Sequence, residues 1–218
     1  MNYFIPLLTL LLFTGFRPPD KKTAKVGAPI KITWTDSIPG DFSFTKEWSY
    51  FDGVYLNAFG QLSCDGLCPP ETDAMKDSLG RIYDDSLARF YSIIDTSHQM
   101  HTISCEAWCY EWDGSDYISG RKINKDSFFF RTAGGIATHC SLHLLIVKSK
   151  CIPAIYLNSI VPGGSGIYPC TGGYIHIDRR LWKKGIFKAD FSFQFEHKEN
   201  PAQPMFWKGR TYTRIENL

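Results

Sequence analysis

The sequence predicts a mainly β fold, an antiparallel meander that forms a sandwich or a barrel, with one helix around residues 73–95. The composition supplies a core, because 44% of the 218 residues are hydrophobic and 15% are aromatic. Short runs of aromatic and β-branched residues alternate with turn dipeptides along most of the chain, which is typical of strands. One stretch shows the spacing of a helix instead.

The N-terminal residues differ from the rest of the chain. Phe4 to Phe16 form an apolar run that is too short to cross a bilayer comfortably, and a polar segment containing prolines follows it. We therefore expect residues 1–16 to be a signal peptide or a short anchor, residues 17–29 a linker, and residues 30–218 a single β-rich domain. The protein is expected to be exported to the periplasm, the outer surface or the medium.

The predicted helix follows a region of short strands. Between residues 30 and 62, strand-like runs are separated by the turn signals Pro39-Gly40 and Asp52-Gly53. Apolar residues then recur at three- and four-residue steps: Leu79, Tyr83, Leu87, Phe90, Tyr91 and Ile94. Gly80 weakens the first half of this helix, and the residues at 84–86 are suitable caps for a shorter helix that begins there.

Beyond Thr96 the hydrophobic period changes to two. One face of the predicted strand carries Ile103, Cys105, Ala107 and Cys109, which we expect to be the core face. Further runs of the same kind predict strands within residues 128–130, 139–147, 152–160, 174–177, 187–195 and 212–215.

The C-terminal third is rich in alternating aromatic residues around a Gly-aromatic turn, in Gly172–Asp178, Gly185–Phe193 and Phe206–Gly209. In these segments the chain resembles the closing β-meander of uncharacterised exported proteins of Bacteroidetes-type bacteria. The resemblance implies export and a β fold. It carries over no catalytic residue and no function.

The charge balance argues against a nucleic-acid partner. The chain has 24 Lys+Arg against 22 Asp+Glu, a formal net charge of +2, and its basic residues are scattered singly or in pairs. A protein or carbohydrate ligand is expected instead, with no cofactor and no transmembrane span beyond the leader.

Seven cysteines follow the leader, and in an exported chain this number favours disulfides over metal ligation. The disulfide candidates are Cys64, Cys68, Cys105, Cys109, Cys151 and Cys170. Cys140, which is left over, is expected to be a buried free thiol.

The spacing of these cysteines restricts the pairing. Four residues along a strand span about 13 Å, so Cys105 and Cys109 should not bridge each other. Their candidate partners are the two cysteines of the loop at 64–68. Cys151 and Cys170 are expected to pair if the ends of the segment between them meet.

A possible metal set lies where the predicted helix ends. Asp95, His98 and His101 follow each other at three-residue steps. If the helix continued, the two histidines would converge on one ion; if it ends near Thr96, they splay apart. This set supports the alternative hypothesis, a metal-dependent or hydrolytic enzyme.

Three aromatic residues support the main hypothesis. Trp108, Tyr110 and Trp112 share the strand face opposite the expected core face, and contiguous exposed apolar area usually marks an interaction site. Since no nucleophile or phosphate-loop motif is evident, the sequence favours an exported, non-enzymatic binding or interaction module.

Overall fold

The structure is a computed structural model that describes residues 27–50, 54–57, 59–64, 68–109, 112–133, 139–158, 166–197, 202 and 205–217. The leader predicted at residues 1–16 and most of the linker predicted at residues 17–29 lie outside this part of the chain.

Strands dominate the described residues. They are numbered β1 to β15 in chain order: Ile30–Lys31, Thr33–Thr35, Trp48–Tyr50, Val54–Leu56, Leu62–Cys64, His98–Met100, Ile103–Trp108, Trp112–Asp113, Ile118–Asn124, Ser127–Thr132, Cys140–Val147, Lys150–Leu157, Gly166–Asp178, Ile186–Phe195 and Met205–Glu216. The helices α1 and α2 are Leu87–Ile93 and Arg179–Trp182, and single 3₁₀ segments cover Ser43–Lys46, Pro70–Met75 and Asp84–Ser86.

Seven consecutive strands, β9 to β15, close into a barrel. Each pairs antiparallel with the next, and β15 completes the circuit by pairing parallel with β9, with Ile215 opposite Gly120. The closing pair is parallel because, in an up-and-down meander with an odd number of strands, the first and last strands run in the same direction. The predicted antiparallel β meander is therefore confirmed, and it takes the form of a barrel.

Alternation along the strands fills the barrel with apolar side chains. In β14, every second residue from Phe187 to Phe195 is buried, and in β11 the same holds from Cys140 to Ile146. Each buried phenylalanine contributes roughly 1.5–3 kcal/mol of transfer free energy. Trp207 of β15 is also fully buried among them. The core face predicted for β7 is confirmed in part, since Ile103, Ala107 and Cys109 are buried and Cys105 is half-buried.

One glycine makes room for this interior. Gly120 of β9 lies directly opposite Phe130 of β10, and the phenyl ring covers the glycine at the position a side chain would take. Phe130 is fully buried and packs against Phe187, with 4.0 Å between the ring centroids. The pair therefore occupies the volume of one large side chain.

A second, smaller core lies in the segment between β2 and β7. Its two-stranded pairs are β3–β6 and β4–β5. The buried residues of this core are Val54, Cys64, Cys68, Met75, Ile82, Phe90 and Ile94. Cys64 and Cys68 form a disulfide in it, with 6.1 Å between their Cα atoms.

The helix predicted around residues 73–95 is present in its second half, as α1 preceded by one 3₁₀ turn. The first half is broken at Gly80, whose φ of +80° is left-handed and unfavourable for other residues. The carboxylate of Asp77 accepts hydrogen bonds from the backbone N–H groups of Leu79 and Arg81, which fixes a turn there.

A half-buried histidine, His143, lies on the outer face of the barrel. His143 of β11 stacks on Tyr156 of β12, with 3.8 Å between ring centroids, and it lies directly opposite Arg131 of β10. Desolvation by burial, together with the charge of Arg131, lowers the pKa of His143 to about 4. The folded protein therefore holds this imidazole neutral at pH values where an unfolded chain would protonate it.

We expect Gly120→Ala to destabilise the barrel, because the added methyl group clashes with the ring of Phe130. The expected loss in the free energy of unfolding is about 1–3 kcal/mol, measured by urea denaturation. Gly172→Ala is the matched control in β13, since a Cβ there meets no atom within 4 Å, and it should be neutral or slightly stabilising. Equal stability of the two variants would contradict the packing described.

A second expectation concerns pH. Because the pKa of His143 is about 4 in the folded protein and the ordinary value is 6.5, the unfolded chain binds more protons between these values. Stability that is fully present above pH 6.5 should fall by about 1–2 kcal/mol as the pH drops to 4, after allowing for solvent screening. His143→Phe keeps an aromatic ring and removes the titration, so its stability should depend less on pH. Parallel curves for the two proteins would refute this role.

Candidate functional site

A cavity of about 680 Å³ lies between the smaller core and the barrel. We call it the Trp48 cavity. Its wall is formed by Lys46, Glu47, Trp48, Ser49, Val54, Tyr55, Leu62, Tyr91, His101 and Asp116. All but Asp116 come from the segment between β2 and β7, and Asp116 comes from the turn that leads into β9. The volume is within the range of roughly 300–1,000 Å³ that is typical of ligand sites.

Three aromatic side chains in this wall are partly exposed to solvent. Trp48 is 47% exposed, Tyr55 40% and Tyr91 41%. Large aromatic residues normally bury most of their surface, so three partly exposed ones around one concavity offer apolar surface to a ligand.

The polar side of the cavity is created by the β3–β6 pairing. Ser49 lies opposite Gln99, and the backbone N–H of His101 donates to the carbonyl of Glu47, so the ladder continues one step beyond β6. Residues directly opposite each other, and residues two apart on a strand, share one face. The register therefore brings Glu47, Ser49 and His101 to the same face.

The imidazole of His101 is the centre of this polar group. Its Nε2 is 2.7 Å from the Ser49 hydroxyl oxygen, and its Nδ1 is 3.6 Å from a carboxylate oxygen of Glu47. Asp116 brings a second carboxylate to within 4.0 Å of Nε2. The His101 side chain is only 11% exposed, so these contacts, rather than bulk water, set its surroundings.

Tyr117 supports the imidazole from the barrel side. Its ring packs edge-on against His101, with 5.6 Å between centroids, and its hydroxyl donates to the carbonyl of Gln99. Burial is the main cause that raises the pKa of Tyr117, so its hydroxyl stays a neutral hydrogen-bond donor. The ring contact limits the rotation of His101, and the Tyr117 side chain also hydrogen-bonds to Ser49.

A second cavity, of about 560 Å³, lies on the outer face of the sheet and is lined mainly by polar groups. Arg210 donates to the carboxylate of Asp190 at 3.2 Å, and Lys208 forms an ion pair with Glu106 at 2.8 Å. Three charged side chains of this cavity, those of Asp190, Lys208 and Arg210, are therefore already in ion pairs within the protein. The Trp48 cavity, which exposes aromatic surface, is the better candidate site.

The structure does not bring Asp95, His98 and His101 together. The Asp95 carboxylate accepts hydrogen bonds from the backbone and hydroxyl of Ser97, which lowers its pKa. His98 packs against Trp48, with 4.9 Å between ring centroids. In extended chain, residues three apart lie on opposite faces, which separates His98 from His101. Among the described residues, no three His, Cys, Asp or Glu side chains are grouped to hold a metal ion.

The aromatic face predicted at Trp108, Tyr110 and Trp112 can be followed only at Trp108. That side chain is half-buried and meets the ring of His197 edge-on, at 5.3 Å between centroids. Tyr110 and the side chain of Trp112 lie outside the described residues, so the proposed role of this face stays a prediction.

The cysteine pairing differs from the one expected. Cys64 and Cys68 bond to each other, so they are not the partners of Cys105 and Cys109. Cys105 donates instead to the carbonyl of Ser115 at 3.4 Å. A disulfide between residues this close in the sequence needs no contact between distant strands.

Three further cysteines, Cys140, Cys151 and Cys170, are thiols in the structure. Cys151 and Cys170, which were expected to pair, are both buried and free, and burial raises the pKa of each. The segment at the start of β1 lies against β12 and β13, the strands that carry these two cysteines. Ile30 is paired with Cys151, and the N–H of Ala28 donates to the carbonyl of Cys170. Cys140 is buried and free, as predicted.

Comparison with known proteins gives no relative: no family model matches the chain, and no curated protein or solved structure matches it significantly. The likeness of the C-terminal third to exported bacterial proteins stays a prediction. None of the helices in the described residues has the length and apolar character needed to cross a bilayer.

Proposed function

We propose that this protein is an exported binding module that holds a carbohydrate ligand in the Trp48 cavity. The observation that carries the proposal is the group of three aromatic side chains, each 40–47% exposed, around one concavity. Export is inferred from the apolar run at residues 4–16 and the polar segment after it.

The chemistry of the wall favours a sugar over a purely apolar ligand. A pyranose has an apolar face of C–H groups and a rim of hydroxyls. The aromatic rings of Trp48, Tyr55 and Tyr91 match the first, and polar groups of Glu47, Ser49 and His101 can exchange hydrogen bonds with the second.

The concave shape favours a small ligand over a folded partner. A stable protein–protein interface buries roughly 800 Å² on each partner, over a broad surface. A sugar unit fits inside the cavity and can be covered on several sides, which is how small ligands obtain most of their affinity.

The proposal predicts that Tyr55→Ala weakens carbohydrate binding about tenfold or more, because it removes one face of the aromatic surface. Glycan-array screening would identify the sugar, and isothermal calorimetry would measure the dissociation constants. Tyr83→Ala is the matched control: Tyr83 is 46% exposed but does not line the cavity. Equal affinity of both variants, or no glycan bound by the unmodified protein, would rule out the proposed site.

A further inference from the structure

Serine, imidazole and carboxylate follow one another in the Trp48 cavity. The Ser49 hydroxyl contacts Nε2 of His101 at 2.7 Å, and the other ring nitrogen, Nδ1, faces Glu47 at 3.6 Å. With the imidazole proton on Nδ1, directed at Glu47, Nε2 accepts the hydrogen bond from Ser49. This is the order in which a base takes the proton of a serine nucleophile.

The two carboxylates near His101 are much more exposed to solvent than the imidazole. Those of Glu47 and Asp116 are 63% and 60% exposed, so water satisfies both, while the imidazole between them is nearly buried. The distance to Glu47 is longer than a hydrogen bond, and such contacts commonly shorten when substrate excludes water. A positive charge that forms on His101 during reaction is stabilised by both carboxylates.

The reacting groups face a space large enough for substrate. Ser49 and His101 both line the cavity, and Lys46 contributes a positive charge to the same wall. A tetrahedral oxyanion that forms next to Ser49 needs hydrogen-bond donors or positive charge, and Lys46 is a cationic side chain of the same cavity wall.

The geometry points to an acyl-transfer activity in the Trp48 cavity, with Ser49 as the nucleophile and His101 as the base, on esters of small carboxylic acids. The inference shares the cavity of the proposed function but does not depend on the ligand being a sugar. A sugar with acylated hydroxyl groups is the substrate class that fits both the proposed carbohydrate binding and this acyl-transfer activity.

The reaction needs only the ester and water as reactants. The Ser49 oxygen attacks the ester carbonyl carbon while its proton passes to Nε2 of His101. The bond from that carbon to the alkoxy oxygen then breaks, and the proton on His101 goes to the departing alcohol, leaving an acyl ester on Ser49. Water attacks this ester in the same way, releases the carboxylic acid and restores the serine proton.

The test is labelling of the intact protein with a fluorophosphonate, which phosphonylates nucleophilic serines, followed by peptide mapping in a mass spectrometer. We expect one adduct per chain, located on Ser49 by mapping of the unmodified sequence. Ser49→Ala should lose the adduct, and His101→Gln should slow labelling by about a hundredfold or more. Ser92→Ala, an exposed serine on α1, should label as the original does.

Labelling at another serine, or none, overturns the inference, whether or not the variants fold. Hydrolysis of p-nitrophenyl acetate provides a second readout, which should be lost in Ser49→Ala and kept in Ser92→Ala. A protein that binds a glycan but is not labelled refutes the acyl transfer alone. A protein that is labelled at Ser49 but binds no glycan refutes the carbohydrate proposal alone.

Discussion

The closed barrel depends on one edge of β15, which pairs with two different strands along its length. Phe206 to Thr211 pair with β7, and Ile215 and Glu216 pair with β9 to close the barrel. Because β7 runs antiparallel to β15, its first residue, Ile103, marks the point beyond which β15 is available to pair with β9. Gly209 allows β7 to approach β15 closely, because a side chain there would collide with the backbone of β7 at Ser104.

The same strand fixes the polar side of the candidate site. Thr102, which follows His101, accepts hydrogen bonds at its carbonyl from the backbone of Tyr212 and the hydroxyl of Thr211. Its own N–H donates to the carbonyl of Asp116. The barrel therefore holds His101 and Asp116 in place, while the smaller core supplies Ser49 and the aromatic wall. Ligand sites often lie at the boundary between two structural units.

Local periodicity predicted much of the barrel and little of the site. The alternation in β7 and in residues 187–195 is a property of neighbouring residues, and the structure confirms it. The position of His101 is different, because its partner Ser49 lies 52 residues earlier. The three-residue spacing between His98 and His101 suggested a shared metal ion. The contact of His101 with Ser49 is instead determined by the β3–β6 pairing, which joins segments that are distant in the sequence. The pattern Glu47-x-Ser49 beside an aromatic residue was the available signal, and it is too short to be specific.

We propose that the protein meets its ligand in the cavity between the barrel and the smaller core. Crystals soaked with a library of small polar and aromatic fragments test it without knowledge of that ligand. We expect fragments to cluster in the Trp48 cavity, stacked on Trp48 or Tyr55 and hydrogen-bonded near Ser49 and His101. Fragments that cluster elsewhere on the protein and leave this cavity filled with water alone would contradict it.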